Sequence, residues 1–423
     1  MRVNVYRAHP RNRARDLAPL LLATAASLVL LVACGSASDA TTEQAAPTPT
    51  PAPALSDPPE APQPSVSPPA TGPAAEAEIP PAPDPLTPES RYASPDDPTD
   101  RLLVPDHGWQ TDFTMRTVRL DSFVAGGPGK DGIPAIDNPA FESVEAAAAT
   151  IKPHEPVIEV QVGGETRIYP IKVLVWHEIV NDEIQGVPVV VTFCPLCNTA
   201  QAFERTVAGN VLEFGVSGVL RNSDLVMFDR ETETWWQQFG GDAVVGELSG
   251  ERLTPIPAAI VAFEVAAANH PDAMVLSRET GFSRPYDENP YPGYDAVDLP
   301  PFFYVENRDE LGRIPPRERV VFISIDGEAV AVPFTALEAA KTLDVEVGGR
   351  SLTVIWQEGV TSTLDDTEIF EFGSFGTAPE RDEPLVTGSA DVIDTATSER
   401  VVFDTPFWFT VAAFSPDIEI IRG

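Results

Sequence analysis

The sequence predicts an α+β fold, mostly antiparallel β with short helices, built as two related halves from an internal duplication. Residues 155–174 align without a gap on residues 318–337 at an offset of 163, and residues 185–191 align on 348–354 at the same offset. In each copy two alternating apolar runs are joined by turn formers, Gly163-Gly164 or Asp326-Gly327, the pattern of a two-residue hairpin turn. In each copy a proline, Pro170 or Pro333, then opens a helical stretch, where a helix does not need the missing N–H.

The elements follow in order. After the first hairpin a helical stretch is expected over Ile171–Asp182, then a strand over Val187–Phe193. Ala200–Val207 alternates, Ala208-Gly209-Asn210 turns, and Val211–Val216 returns as a strand. Phe263–Ala267 resembles Phe409–Ala413, and a Pro-Asp pair follows each, Pro271-Asp272 and Pro416-Asp417. Residues 101–300 thus form the first half and residues 301–423 a diverged second half.

The N-terminal residues read as an address. Five arginines precede the apolar run Leu17–Ala33, which ends at Leu31-Val32-Ala33-Cys34. A basic region followed by a short apolar region is a signal peptide, over residues 1–33. The string Leu-Val-Ala-Cys-Gly-Ser resembles the lipobox of bacterial lipoproteins, which implies lipid on Cys34, a membrane as partner, and the rest of the chain on the extracytoplasmic side. Residues 34–100 form a Pro/Ala-rich acidic tether: residues 41–100 hold 18 of the 44 prolines, and no Lys or Arg occurs between Val32 and Glu89. Such a composition buries too little apolar surface to offset its ordering entropy, so this stretch is expected to be disordered.

Charge narrows the partners. With 28 Lys and Arg against 64 Asp and Glu the net charge is −36, which repels a phosphate backbone and leaves nucleic acid outside the expected partners. A monomer is expected, with a ligand that the sequence does not name. Familiar hydrolase signatures are missing: Gly215-Val216-Ser217-Gly218 lacks the nucleophile-elbow spacing, Gly129-Lys130 lacks the glycine and the hydroxyl of a phosphate loop, and no second His follows His177-Glu178.

The remaining chemistry lies in Thr192-Phe-Cys-Pro-Leu-Cys-Asn-Thr199, whose Cys194 and Cys197 are the only cysteines besides Cys34. In a thioredoxin-like protein a C-x-x-C opens a helix, whose N-terminus activates the first thiol. In a metal knuckle it forms a turn between strands, and the residue after it takes a left-handed conformation that suits Asn. A strand enters this motif, Asn198 follows it, and Gln201–Val207 reads as a strand, so the knuckle is the better fit. Two thiolates need further ligands, and His177 is the nearest candidate; a Cys194, Cys197, His177 set, open at its fourth position, suits zinc or copper. At the 163 offset His177 falls on Ala340, Glu178 on Lys341 and Cys194 on Gln357, so these groups belong to one copy alone. Two other readings stand beside this one: thiol–disulfide exchange, and a non-catalytic ligand- or partner-binding module whose C-x-x-C is a structural disulfide. His177 also fits a hydrogen-bonded core histidine, and Glu178, Asn181 and Asp182 fit helix-end and capping groups. A cleft could be lined by Asn181, Arg221, Asp224, Trp236 and Tyr291, although adjacent tryptophans such as Trp235 and Trp236 commonly belong to a core.

The strings Trp176–Asp182, Thr192–Asn198, Phe214–Gly218, Leu220–Asp224 and Asp229–Thr232 together resemble the bacterial family called domain of unknown function 3179. The resemblance runs from about Asp131 to the C-terminus. It supports the domain limits and the placing of the His-Glu and Cys-x-x-Cys motifs, and it implies no activity.

Overall fold

A computed structural model describes residues 99–291, 293–294, 296–364 and 388–423. The expected signal peptide, Cys34 and all but the end of the expected tether lie outside the described residues. Among the described residues no helix is long and apolar enough to cross a membrane.

The fold is mostly antiparallel β with a few short helices. The first hairpin pairs β1 (Pro156–Val162) with β2 (Glu165–Pro170), with Val162 opposite Glu165. Gly163 and Gly164 both have positive φ, 57° and 85°, as a two-residue turn matched to strand twist demands. Pro170 caps α1 (Ile171–Leu174), a single buried turn. The expected helix over Ile171–Asp182 is therefore corrected. Glu178 enters the left-handed region at φ 60°, and Ile179–Ile184 forms β3, whose backbone groups pair with β4 (Val187–Cys194) from Ile179↔Thr192 to Ile184↔Val187. β-Branched and apolar residues buried on both faces of that pair outweigh helix propensity.

Strand β4 continues through the C-x-x-C turn into β5 (Thr199–Glu204), with Cys194 opposite Thr199. In a neighbouring sheet β6 (Phe214–Arg221) pairs with β7 (Asp224–Asp229), and β7 pairs with β8 (Trp235–Gln237). The β6–β7 turn is Asn222-Ser223, with φ of 56° and 61°. Ser in that conformation is costly, and the turn delivers Asp224 to the interior. Helix α2 (Phe263–Asn269) closes this half, and Met274–Leu276 then pairs in parallel with β2.

Several of these elements recur in the same order after residue 318. The hairpin of β9 (Val320–Ile325) and β10 (Glu328–Pro333) turns at Asp326-Gly327, Pro333 caps α3 (Phe334–Ala340), and β11 (Thr342–Val347) pairs with β12 (Arg350–Gln357). Helix α4 (Trp408–Phe414) ends as α2 does, and Glu419-Ile420 pairs in parallel with β10. The halves share a core: Val157, Ile168, Val261 and Phe263 pack in one cluster with Val321, Val332, Leu352 and Val392. Fully burying each such side chain stabilises the fold by roughly 1.5–3 kcal/mol.

Candidate metal centre

The C-x-x-C turn is a hairpin end, not the start of a helix. Asn198 takes φ 55°, the left-handed conformation expected after a knuckle. Both thiols are free and buried, Cys194 at 2% and Cys197 at 0% exposure. Three ligand atoms, one each from Cys194, Cys197 and Asp224, lie within 4.8 Å of one another. Tetrahedral zinc spaces thiolate and carboxylate donors roughly 3.5–3.8 Å apart, so small side-chain adjustments bring this set around one ion.

Asp224 is held from several sides. Cys197 Sγ donates to its Oδ1 at 2.9 Å, the Phe239 N–H donates to its Oδ2 at 2.9 Å, and Gln237 Nε2 donates to the same oxygen. Thr199 Oγ1 sits 3.0 Å from Cys197 Sγ and donates to Gln238 Oε1 at 2.6 Å, while Gln238 Nε2 donates to Thr192 Oγ1 at 2.8 Å. Metal sites have such outer hydrogen bonds, which fix ligand orientation. In Trp235-Trp236-Gln237-Gln238 it is the two amides, not the rings, that reach the site.

Burial dominates the electrostatics of these acids. Burial pushes the Cys197 thiol well up and the Cys194 thiol up, and it raises Asp224 to about 6. Glu178, also buried, rises to about 8 by burial and then by the charge of Asp224. Tyr291 and Tyr294 are nearby: burial raises both hydroxyls, and the charge of Cys194 acts on each. The Tyr294 hydroxyl donates to Leu196 O at 3.0 Å, and the Arg317 guanidinium lies 3.9 Å from the centre of its ring.

The chain is similar over residues 130–418 to a family model described as protein of unknown function (DUF3179). The chain belongs to this family. No curated protein and no solved structure matches it.

Within the DUF3179 domain, the residues singled out from sequence separate into two groups. Cys194, Cys197 and Asp224 converge, and Tyr291 stands close by. His177 is not part of the converging set: its Nδ1 is 2.7 Å from Pro134 O, so it donates there, and its Nε2 accepts from the Tyr286 hydroxyl at 2.8 Å. With both nitrogens engaged it is a hydrogen-bonded core histidine, and Asp224 stands where it was expected. Asn181, on β3, donates to Asp137 Oδ1 and Phe214 O, both at 2.8 Å, and accepts from Phe214 N, so it locks β3 to β6. Glu178 is a helix-end group, its left-handed N–H closing the turn after α1 onto Leu174 O at 2.6 Å; Asp182 is not, and its carboxylate accepts from the Tyr169 hydroxyl at 2.7 Å. Arg221 pairs with Glu306 at 3.1 Å. Trp236 is fully buried, donating from Nε1 to Asp229 Oδ2 at 2.9 Å, and offers no ring to a ligand. Asp224 carried a weak signal in the sequence, an acid after the left-handed Asn-Ser turn of a hairpin; Gln237, Gln238 and Thr199 carried none.

Proposed function

We propose that this protein is a membrane-tethered extracytoplasmic lipoprotein whose Cys194, Cys197 and Asp224 bind one transition-metal ion. The observation that carries the reading is the convergence of three buried ligand atoms within 4.8 Å at a knuckle-type turn. Two thiolates with one carboxylate form a mixed soft and hard set, which suits zinc better than copper(I). An ion there would neutralise acids that burial otherwise holds protonated, and its binding would release their protons. Complete burial and raised thiol pKa values argue against thiol–disulfide exchange, which needs an accessible thiolate. Lipid on Cys34 rests on the order of basic region, apolar run and Leu-Val-Ala-Cys.

The two halves, we further propose, arose by duplication, and the site was built in one copy. The shared order of hairpin, proline-capped helix, strand pair, and late helix with parallel strand supports this, as does the ungapped offset of 163.

The test is metal analysis of protein purified under reducing conditions. The wild type should carry about one zinc per chain, and the Cys194→Ser/Cys197→Ser double variant and Asp224→Ala should lose it. Equal metal content in all three defeats the reading and leaves the non-catalytic binding module as the better account.

A further inference from the structure

We propose that the loop of residues 297–304 is a membrane-contacting surface, whose apolar side chains enter the lipid surface to which Cys34 ties the chain. The inference takes its occupant from the lipoprotein reading above and names the part of the folded domain that meets it.

Apolar exposure is concentrated on this loop. Nine large apolar side chains are exposed among the described residues, and four of them, Val297, Leu299, Phe302 and Tyr304, lie within eight positions, with Phe302 at 72% and Tyr304 at 56%. Scattered singly such side chains need no explanation; grouped on one loop they mark a contact surface. The backbone beneath them is fixed. The Arg317 N–H donates to Val297 O at 3.0 Å, Arg317 Nη2 donates to Pro300 O at 2.6 Å, and Ser223 Oγ donates to Phe303 O at 3.2 Å. Asn222 grips Glu306 twice: its Nδ2 donates to Glu306 Oε2 at 3.1 Å, and its Oδ1 accepts from Glu306 N at 2.8 Å. Asn222 and Ser223 are the left-handed pair of the β6–β7 turn, where two glycines would sit without strain. Glycines would have no side chain with which to hold residues 303 and 306. The strain of the turn thus goes into presenting the loop's apolar side chains outward, and strain of this kind points to function.

The place where the chain enters the fold identifies what meets the loop. Asp100 Oδ1 accepts from the Leu120 N–H at 2.6 Å, and Ser122 Oγ, two residues on, accepts from Arg221 Nε at 3.2 Å. Arg221 stands opposite Phe123 in the sheet, and its Nη2 donates to Glu306 Oε2 at 3.1 Å. The start of the described chain and the aromatic loop therefore flank the same end of β6. Cys34 lies 65 positions before Thr99, so a lipid on it keeps a bilayer within reach of that end and raises its effective concentration there. Leu, Phe and Tyr are residue types that enter the boundary between headgroups and acyl chains, with the tyrosine hydroxyl left at the polar level. Charge does not drive the contact: Asp298 and Glu306 stand among these side chains and the chain carries −36, so the attraction comes from apolar burial.

The test uses the full chain reconstituted with phosphatidylcholine vesicles whose acyl chains carry bromine, a contact quencher of tryptophan. Phe302→Trp puts a probe at the most exposed position, and Tyr304→Trp carries the test if the first variant does not fold. The wild type, with its own tryptophans, gives the baseline. Either variant should add emission that moves to shorter wavelength on vesicles and falls about 2-fold with the brominated lipid, and a further Leu299→Ser change should reduce that quenching. Added emission that keeps the wavelength of a water-exposed indole and is not quenched would overturn the inference; flotation of the same chain with the vesicles would then leave the lipid anchor standing. Quenching in a chain whose mass shows no lipid on Cys34 would support the loop and defeat the anchor. A shift to shorter wavelength that grows with protein concentration in the absence of vesicles would assign the loop to a second copy of the chain and overturn the membrane contact.

Discussion

The carbonyl of Cys197 accepts a hydrogen bond from the backbone N–H of Phe407 at 2.9 Å, so the C-x-x-C turn of the first half is held by the second. The contact is one of several. Asn198 Nδ2 donates to Thr405 O at 2.9 Å, Thr363 Oγ1 donates to Asn198 Oδ1 at 2.5 Å, and the Ala200 N–H donates to Asp404 Oδ1 at 3.1 Å. Residues 404–407 thus brace the turn that carries both thiols, so the second half contributes to the site.

Removing that brace should loosen the turn. Asn198→Ala loses two buried side-chain hydrogen bonds and forces a left-handed alanine, and should destabilise the protein by about 2–4 kcal/mol in denaturant unfolding. Asn198→Gly keeps the backbone conformation and should lose less. Equal losses in the two variants would mean that the backbone conformation contributes nothing.

Asp404 should make stability depend on pH. Burial raises its carboxyl to about 7, against about 3.9 in an unfolded chain, so between these values the folded state binds the extra proton. Its contribution is full below about pH 4 and is lost as pH rises through about 7. Asp404→Asn should remove that slope, so the stability difference between variant and wild type should change by a few kcal/mol between pH 4.5 and 8. A difference that is constant with pH would refute the shift.

His177 should matter for stability and not for metal. Burial lowers its pKa, so the unfolded chain takes up the proton first and stability falls as pH drops below about 6.5. His177→Phe should leave zinc content unchanged, destabilise the fold by about 1–3 kcal/mol through the orphaned Pro134 carbonyl and the lost bond to the Tyr286 hydroxyl, which keeps Thr280, and abolish this acid sensitivity. Loss of metal in this variant, with the fold intact, would restore His177 as a ligand.

Trp236→Phe should cost about 1–3 kcal/mol by removing the indole N–H from Asp229, measured by thermal unfolding, with zinc affinity unaltered. A large change in affinity would show that the Trp236–Asp229 contact also sets the positions of Asp224 and Gln237 at the other end of β7 and β8.

Cys34→Ala should release the protein from the membrane fraction or block its processing. Membrane association and mass identical to wild type would refute lipidation.

Local chemistry made much of the fold legible. Paired turn formers between alternating runs located both hairpins, prolines located the starts of α1 and α3, and Asn198 marked the left-handed exit of a strand-to-strand C-x-x-C, because each of these depends on a few neighbouring residues. The length of α1 was misread because the periodicity of Val173–Val180 does not reveal that β4 will claim the backbone of β3. The site needed long-range pairing. Asp224 is 27 positions from Cys197, and Tyr286, which occupies the His177 nitrogen, is 109 positions from it. No local pattern encodes which of two nearby candidates, an imidazole or a carboxylate, the sheets will carry to the thiols. By itself the sequence determined the strand and turn grammar and singled out the two thiols. Tertiary structure decided that Asp224 and not His177 stands beside them, because packing two sheets and two halves together sets which polar groups find each other.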